Sequence, residues 1–173
     1  MQTIIDFFTA PFFVVLGGFI TLVTVFGFIY IVYLALAGIL PVLYRLGVAL
    51  STKKIAVFAD NKFDELKNIL VDSQLFKSKN IIKIDSGSIK KAEYVSCYLV
   101  HYGAYKNSID DIIDIKKDNY AMIIYAPQNE GKIDDDILTK LNSQRNTIIV
   151  NFRGRLLNDV LVSMITTTVT KQR

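Results

Sequence analysis

Residues 7–44 read FFTAPFFVVLGGFITLVTVFGFIYIVYLALAGILPVLY and contain no formally charged side chain over 38 consecutive positions. The whole chain has 173 residues, of which 21% are charged, and its mean hydropathy is +0.35. These values agree only because apolar and charged residues occupy different parts of the chain. The sequence therefore predicts a membrane anchor over residues 1–50 and one soluble domain over residues 53–173, which is long enough to bury a single core.

The apolar segment is predicted to be a retained anchor and not a signal peptide. A signal peptide begins with basic residues and has an apolar region of about 7–15 residues, whereas this segment is longer and follows Asp6. As one straight helix it would extend about 57 Å, nearly twice the roughly 30 Å of a bilayer core. In the favoured arrangement, residues 12–36 cross once and the stretch after Gly38 and Pro41 forms an interfacial helix. In the alternative, residues 3–50 form a tight two-pass hairpin.

The charges that flank the anchor predict its orientation. Arg45, Lys53 and Lys54 follow the apolar segment, whereas Asp6 is the only charged residue before it. Because basic residues favour the cytoplasmic side of a membrane, the soluble domain is predicted to be cytoplasmic.

One face of the anchor helix carries small and hydroxylated side chains. Gly17, Thr21 and Thr24 are spaced i, i+4 and i+7, and so share one face of a helix. Small residues on one face let helices approach closely in lipid. This face is predicted to mediate homo-oligomerisation.

After Lys54, short apolar strands alternate with amphipathic helices. Five strands alternating with helices indicate a parallel sheet covered on both sides. Their continuous apolar character agrees, because strands buried on both faces do not alternate apolar and polar residues. The predicted fold is α/β, a three-layer Rossmann-like or flavodoxin-like domain with a five-stranded parallel sheet. Its predicted strands are residues 55–59, 81–84, 95–102, 121–125 and 147–150.

The ends of these strands predict a binding site. Ligands of open α/β sheets bind beyond the carboxyl ends of the strands, so the polar residues there are the candidates for binding a nucleotide or a partner. They are Asp60, Asn61, Ser86, Ser88, Gln128, Asn129, Asn151, Phe152, Arg153 and Arg155.

The segment after the fifth strand is the most informative of these. Arg153 and Arg155 stand at the start of a predicted helix, where backbone amides and guanidinium groups both favour phosphate. Phe152 is suited to stack on a base. The alternative is that the two arginines lie exposed or pair with neighbouring acids. The positive end of the chain also contains Lys171 and Arg173, and the net charge of the whole chain is +4.

Motifs for catalysis are missing from the sequence. There is no G-x-G-x-x-G after the first strand and no phosphate-binding loop with G-K-[ST]. Cys97 and His101 are the only cysteine and the only histidine, so metal sites and nucleophilic catalysis have few groups to use. Cys97 is predicted to be a buried, inert thiol. The sequence predicts a protein without catalytic activity, metal or cofactor.

A short membrane anchor joined directly to a small Rossmann-like domain without catalytic residues resembles the transmembrane effectors of prokaryotic anti-phage systems. These include the effectors encoded beside retron reverse transcriptases and those of cyclic-oligonucleotide defence. The resemblance is architectural and covers the whole chain. It implies a location in the bacterial inner membrane, a soluble domain that senses a nucleotide or a nucleic-acid–protein complex, and oligomerised helices that permeabilise the membrane. The alternative is a passive membrane scaffold that docks a cytosolic protein.

Overall fold

A computed structural model describes residues 11–167, and the chain divides into two compact units between Tyr44 and Arg45. The sequence-based predictions that involve Asp6, Lys171 and Arg173 lie outside the described residues. Each unit is considered by itself below.

The first unit contains most of helix α1, Pro11–Thr52, whose last residues from position 45 onward belong to the second unit. The helix runs without a break through residues 21–28 and past Pro41, although a proline removes one backbone hydrogen bond from a helix. Residues 11–44 of α1 extend about 51 Å at 1.5 Å per residue. Its span Phe13–Thr52 is long and apolar enough to cross a membrane.

The second unit is built on a parallel sheet, as the sequence predicts. The strand order is β2-β1-β3-β4-β5, and every neighbouring pair is parallel. This order is that of the flavodoxin-like doubly wound fold. The strands are β1 Ile55–Phe58, β2 Ile81–Lys83, β3 Cys97–His101, β4 Ala121–Tyr125 and β5 Thr147–Val150.

Helices cover both faces of the sheet. The helix bounds are α2 Phe63–Asp72, α3 Tyr102–Tyr105, α4 Ile109–Ile115, α5 Asp135–Ser143 and α6 Arg153–Thr166. α2 and α6 pack on one face together with the core residues Leu99 and Ile123. α3, α4, α5 and a 3₁₀ segment, Ser86–Ala92, pack on the other face with Tyr98 and Ile124.

The three central strands are buried along their whole length. All residues of β1, β3 and β4 are buried, and burial of one large aliphatic or aromatic side chain contributes roughly 1.5–3 kcal/mol. On one face the Phe58 ring makes edge contacts with the rings of Tyr98 and Tyr105. The Tyr98 hydroxyl donates to the carbonyl oxygen of Ala92 at 2.8 Å, which satisfies a fully buried polar group.

The third strand is shorter than the sequence predicts. The prediction extended from residue 95 to residue 102, whereas β3 ends at His101 and Tyr102 begins α3. The apolar pattern continues through Tyr102 because Tyr102 and Tyr105 are also buried, as helical residues against the same core. Burial alone therefore did not distinguish the strand from the helix that follows it.

Two polar side chains hold the segment where α1 ends and β1 begins. The Asn80 side-chain amide donates to the carbonyl oxygens of Leu50 and Ser51 at 3.2 Å and 3.3 Å. The Lys53 ammonium donates to the carbonyl oxygen of Met164 at 2.7 Å and to that of Thr167. These contacts satisfy carbonyl groups at the C-terminal ends of α1 and α6, where a helix has no partners of its own. Burial lowers the pKa of Lys53 from its ordinary value of 10.5.

The buried thiol of Cys97 offers a probe of the stability of this domain. Cys97 is fully buried, and burial raises its pKa to about 12, so the folded protein is expected to resist thiol reagents. Ile123 lies between Leu99 and Ile148 in the sheet. We expect Ile123→Ala to destabilise the domain by about 2–5 kcal/mol, because a cavity remains where the side chain was. The urea midpoint for labelling of Cys97, in the full chain in detergent, measures this change.

Val162→Ala on α6 is the control, because Val162 is 43% exposed. It is expected to change stability by about 0.5 kcal/mol or less. Equal midpoints for the two variants, or labelling of Cys97 without urea, would contradict the described core.

Candidate functional site

The topology places the candidate site at the carboxyl edge of the sheet. In a strand order of 2-1-3-4-5, the direction of winding reverses between β1 and β3, and ligands of such folds bind at this switch point. Asp60 and Asn61 follow β1, Tyr102 and Gly103 follow β3, and Gln128 follows β4 after a short connection.

At the switch point itself, the Asp60 side chain takes part in a structural hydrogen bond with Tyr105. The Tyr105 hydroxyl lies 2.7 Å from Oδ1 of Asp60 and 2.5 Å from the carbonyl oxygen of Ile84, and its single proton is shared between these two acceptors. Burial, followed by the hydrogen bond to Asp60, raises the pKa of Tyr105. The Asp60 backbone has a φ of 35°, in the left-handed region, which aspartate tolerates better than most residues. Asp60 is thus tied to α3, while Asn61 is exposed and lines none of the clefts described below.

Beside the switch point lies a polar cleft of about 240 Å³, here called the His101 cleft. Five lysine, arginine, histidine and glutamate side chains line it. They come from β3, α2, α6 and the connections after β1 and β4, which are far apart in the sequence. These are Lys62, Glu65, His101, Glu130 and Arg153; Asn129 and Tyr125 also contribute to the lining.

His101 is the most deeply buried ionisable group of this cleft. It is 3% exposed, and its Nε2 lies 3.3 Å from Oε2 of Glu130. Its ring meets the Tyr125 ring edge-on at 5.7 Å between centroids. Its Nδ1 is buried and has no hydrogen-bond partner among the described residues. Burial lowers the pKa of His101 below its ordinary value of 6.5, and the charge of Glu130 opposes this effect.

Gly103 makes room for the contact between Glu130 and His101. A Cβ atom added at Gly103 would lie 2.7 Å from Oε2 of Glu130 and 3.5 Å from Cε1 of His101. Any larger residue at position 103 would have to displace the Glu130 carboxylate. Because glycine has no side chain, the Glu130 carboxylate can extend over the end of β3.

Arg153 is neutralised within the His101 cleft. Its Nη1 lies 2.7 Å from Oε1 of Glu65, whose other oxygen is 3.5 Å from the Lys62 ammonium. Arg153 and Glu65 are both partly exposed, and exposed ion pairs contribute about 0–1 kcal/mol. Such a pair opens readily, so Arg153 remains able to exchange Glu65 for another anion.

Four of the other predicted site residues line two further clefts. Gln128 and Asn151 line a cleft of about 510 Å³ beside α5, next to Gly131, whose φ of 101° favours glycine. Ser86 and Ser88 line a third cleft, of about 490 Å³, beside α4. Neither cleft shares a lining residue with the His101 cleft.

The segment Asn151–Arg155 does not converge on one ligand position. Asn151 lines the cleft beside α5 and Arg153 lines the His101 cleft. Phe152 is 55% exposed, and Arg155 has its Nε 3.7 Å from Oδ2 of Asp159. Sequence reasoning missed Lys62 and Glu65 as site residues, because their charges look like the ordinary polar face of α2. The only signal was their i, i+3 spacing just after β1.

The predicted oligomerisation face of α1 has its hydroxyl groups already bonded. Thr21 Oγ1 donates to the carbonyl oxygen of Gly17 and Thr24 Oγ1 donates to that of Ile20, both at 2.8 Å. No atom lies within 4 Å of a Cβ added at Gly17. Within one chain this face has room for a larger side chain. Because both hydroxyl groups already donate within the helix, the two threonines can contribute close packing to a neighbouring helix but no free hydrogen-bond donor.

The buried histidine predicts a dependence of stability on pH. In the unfolded chain His101 binds a proton near its ordinary pKa of 6.5, whereas burial lowers that pKa in the folded protein. Below the ordinary pKa the unfolded state therefore binds more protons, and stability falls as the pH falls. We expect the urea midpoint of the full chain to drop between pH 7.5 and pH 5.5, and to drop less in His101→Asn. Labelling of Cys97 with a dithiodipyridine reagent, which reacts at both pH values, measures it; an equal drop in both proteins would contradict the role of His101.

Among residues 11–167 no group of three or more histidine, cysteine, aspartate or glutamate side chains is placed to hold a metal ion. Comparison of the chain with protein families, with curated proteins and with solved structures found no match.

Proposed function

We propose that this protein is a membrane effector of prokaryotic anti-phage defence. Its α/β domain lies in the cytoplasm and senses a nucleotide or a nucleic-acid-containing partner, and its α1 helices associate and disrupt the inner membrane. The observation that carries the proposal is α1 itself, an apolar helix long enough to span a bilayer and with no part of its most apolar stretch buried. Side chains such as Phe26 and Phe28, each 67% exposed, need lipid or another helix to cover them.

The carboxyl edge of the sheet supports a sensing role. The His101 cleft lies at the position where doubly wound folds bind ligands, and Arg153 at its rim is held only by an exposed ion pair. Phosphate oxygens compete well for a guanidinium group because they match its geometry bidentately. Binding of a phosphate would exchange the Glu65 contact of Arg153 for a ligand contact.

The shape of the α1 face supports association between helices. Gly17, Thr21 and Thr24 bring the backbone of α1 close to its surface, and the threonine hydroxyls are satisfied within the helix. In lipid, helices associate by packing and not by the hydrophobic effect, so small side chains favour close contact.

The first test of the proposal is membrane potential. We expect induced expression in a bacterium, alone or with phage infection, to depolarise the cells, as followed with a voltage-sensitive dye. Gly17→Leu is expected to abolish this effect because its side chain would separate the packed helices. Within the chain the substitution meets no atom, and it favours the helix by up to about 1 kcal/mol, so a loss reports on contacts between chains.

Ala37→Leu is the matched control, because position 37 lies about 200° around the helix from position 17. It is expected to depolarise like the wild type. Equal loss in both variants, or an intact membrane potential in all forms with and without phage, would contradict the proposal. The second result would favour a passive scaffold.

The arginine at the His101 cleft gives a second test, in which two variants change binding in opposite directions. Arg153→Ala is expected to weaken phosphate-dependent binding about tenfold, since hydrogen bonds to charged groups contribute about 1.5–3 kcal/mol. Glu65→Gln is expected to strengthen it, because it releases Arg153 from its ion pair. Fluorescence anisotropy with a labelled ATP analogue and a labelled single-stranded RNA, on the full chain in detergent, measures both.

Lys140→Ala is the matched control, because Lys140 is likewise exposed and ion-paired, with Asp110 at 2.7 Å, but lines none of the three clefts. Its variant is expected to bind like the wild type. Absence of binding by the wild type to either probe, or weaker binding of Glu65→Gln, would refute the proposed role of Arg153.

A further inference from the structure

The amino edge of the sheet carries an excess of exposed basic side chains. All five strands run parallel and therefore begin at one edge, so the segments that precede the strands come together there. Six exposed basic side chains lie in these segments: Lys54, Lys77, Lys79, Lys91, Lys117 and Arg145. The acidic residues of the same edge are Asp72, Glu93, Asp114 and Asp118, and two further lysines, Lys53 and Lys116, are partly or fully buried there.

The opposite edge has the reverse pattern. The helices begin at the carboxyl edge, and the first turns of α2, α4 and α5 each carry two acidic residues. Acids at these positions are stabilised by the helix dipole. In this topology the acidic side chains therefore accumulate at the carboxyl edge, and the amino edge is basic.

The basic residues of the two edges also differ in their partners. At the carboxyl edge Lys62, Lys83, Lys106, Arg153 and Arg155 each pair with an acid within 4 Å, and the exposed Lys132 is the exception among the described residues there. In the described part of the chain, none of the six exposed basic residues of the amino edge forms an ion pair. Their charge is not neutralised within the protein, which suits them to an external anionic surface.

An exposed aromatic residue lies among these charges. Tyr94 is 82% exposed, and the Lys117 ammonium lies 5.6 Å from the centre of its ring and 5.8 Å from that of Tyr120. Leu75, in the connection after α2, is 41% exposed. Tyrosine and lysine side chains together are typical of the headgroup region of a membrane.

The chain connects this edge directly to the apolar segment. Asn80 binds the carbonyl oxygens of Leu50 and Ser51, so the end of α1 lies among the segments that precede the strands. Only ten residues separate Tyr44, the last residue of the uncharged stretch, from Ile55, the first residue of β1. Such a short connection limits how far the amino edge can move from a bilayer that α1 spans, and the attraction of basic residues to anionic lipid acts over a Debye length of about 8–10 Å.

We propose that the amino edge of the sheet, with Lys54, Lys77, Lys79, Lys117, Arg145 and Tyr94, binds the headgroups of anionic phospholipids. The interaction rests on insertion of α1 in a membrane, as in the proposed function, but not on helix association or membrane disruption. Lipid binding holds the amino edge against the headgroups and leaves the carboxyl edge accessible to the nucleotide or partner of the proposed function.

The test places a fluorescent probe at this edge in the full chain. The variant Asn119→Cys, at an exposed position of the same edge, is labelled with an environment-sensitive dye. The native Cys97 is buried and stays unlabelled. The protein is reconstituted in nanodiscs of phosphatidylcholine, with or without phosphatidylglycerol. We expect the anionic lipid to shift the emission to shorter wavelength and to protect the dye from an aqueous quencher. High salt is expected to reverse both effects.

Two controls make the result specific. The dye at Ala104, an exposed residue of the carboxyl edge, is expected to show no change. Replacing Lys77, Lys79 and Lys117 by glutamine is expected to weaken the lipid-bound state about fivefold for each charge removed. Equal emission in both kinds of disc, with the protein retained in them, would overturn the proposal.

Two other outcomes are distinct. Failure of the protein to remain in any disc would overturn the membrane anchor, and with it the proposed function. A shift of the Asn119 probe by single-stranded RNA in neutral discs, but not by anionic lipid, would assign the surface to nucleic acid and overturn the lipid proposal.

Discussion

Burial of β1, β3 and β4 on both faces is the constraint on which the rest of the domain depends. Every residue of these strands is buried and all but His101 belong to the two core layers, so the strands have no room for polar side chains except at their ends. A parallel sheet has two kinds of end, and all five strands begin on one side and finish on the other. The polar and charged side chains of the sheet region are therefore confined to two edges, which differ in charge.

The carboxyl edge gathers groups that no single segment contains. The His101 cleft takes Glu65 from α2, His101 from β3, Glu130 from the connection after β4 and Arg153 from α6. The acids there neutralise the bases, as in the pair of Arg153 with Glu65, and only His101 is deeply buried. In the function proposed above, a ligand would bind by taking the place of Glu65 in its ion pair with Arg153.

The amino edge owes its character to the same topology. Helix C-termini and strand beginnings meet there, and lysines are used in two ways. Lys53 and Lys116 donate to backbone carbonyls, Lys53 to Met164 and Lys116 to Arg145, which offsets the burial of their charges. Lys77, Lys79 and Lys117 stay exposed. The end of α1 is bound by Asn80 at this same edge.

The sequence by itself determined the apolar helix, the α/β class and the five parallel strands, because each depends on local hydrophobic patterns and on the order of elements. Its candidate site residues include Arg153 and Asn129, which line the His101 cleft, but Ser86, Ser88, Gln128 and Asn151 line two further clefts and the remaining candidates line none of the three. Only the tertiary structure decided that Asp60 binds Tyr105, that Glu65 neutralises Arg153 and that Glu130 reaches His101 over Gly103. It alone also separated the nearly balanced charges of the domain into an acidic and a basic edge. These features depend on contacts between residues far apart in the chain, and local patterns carry no information about such contacts.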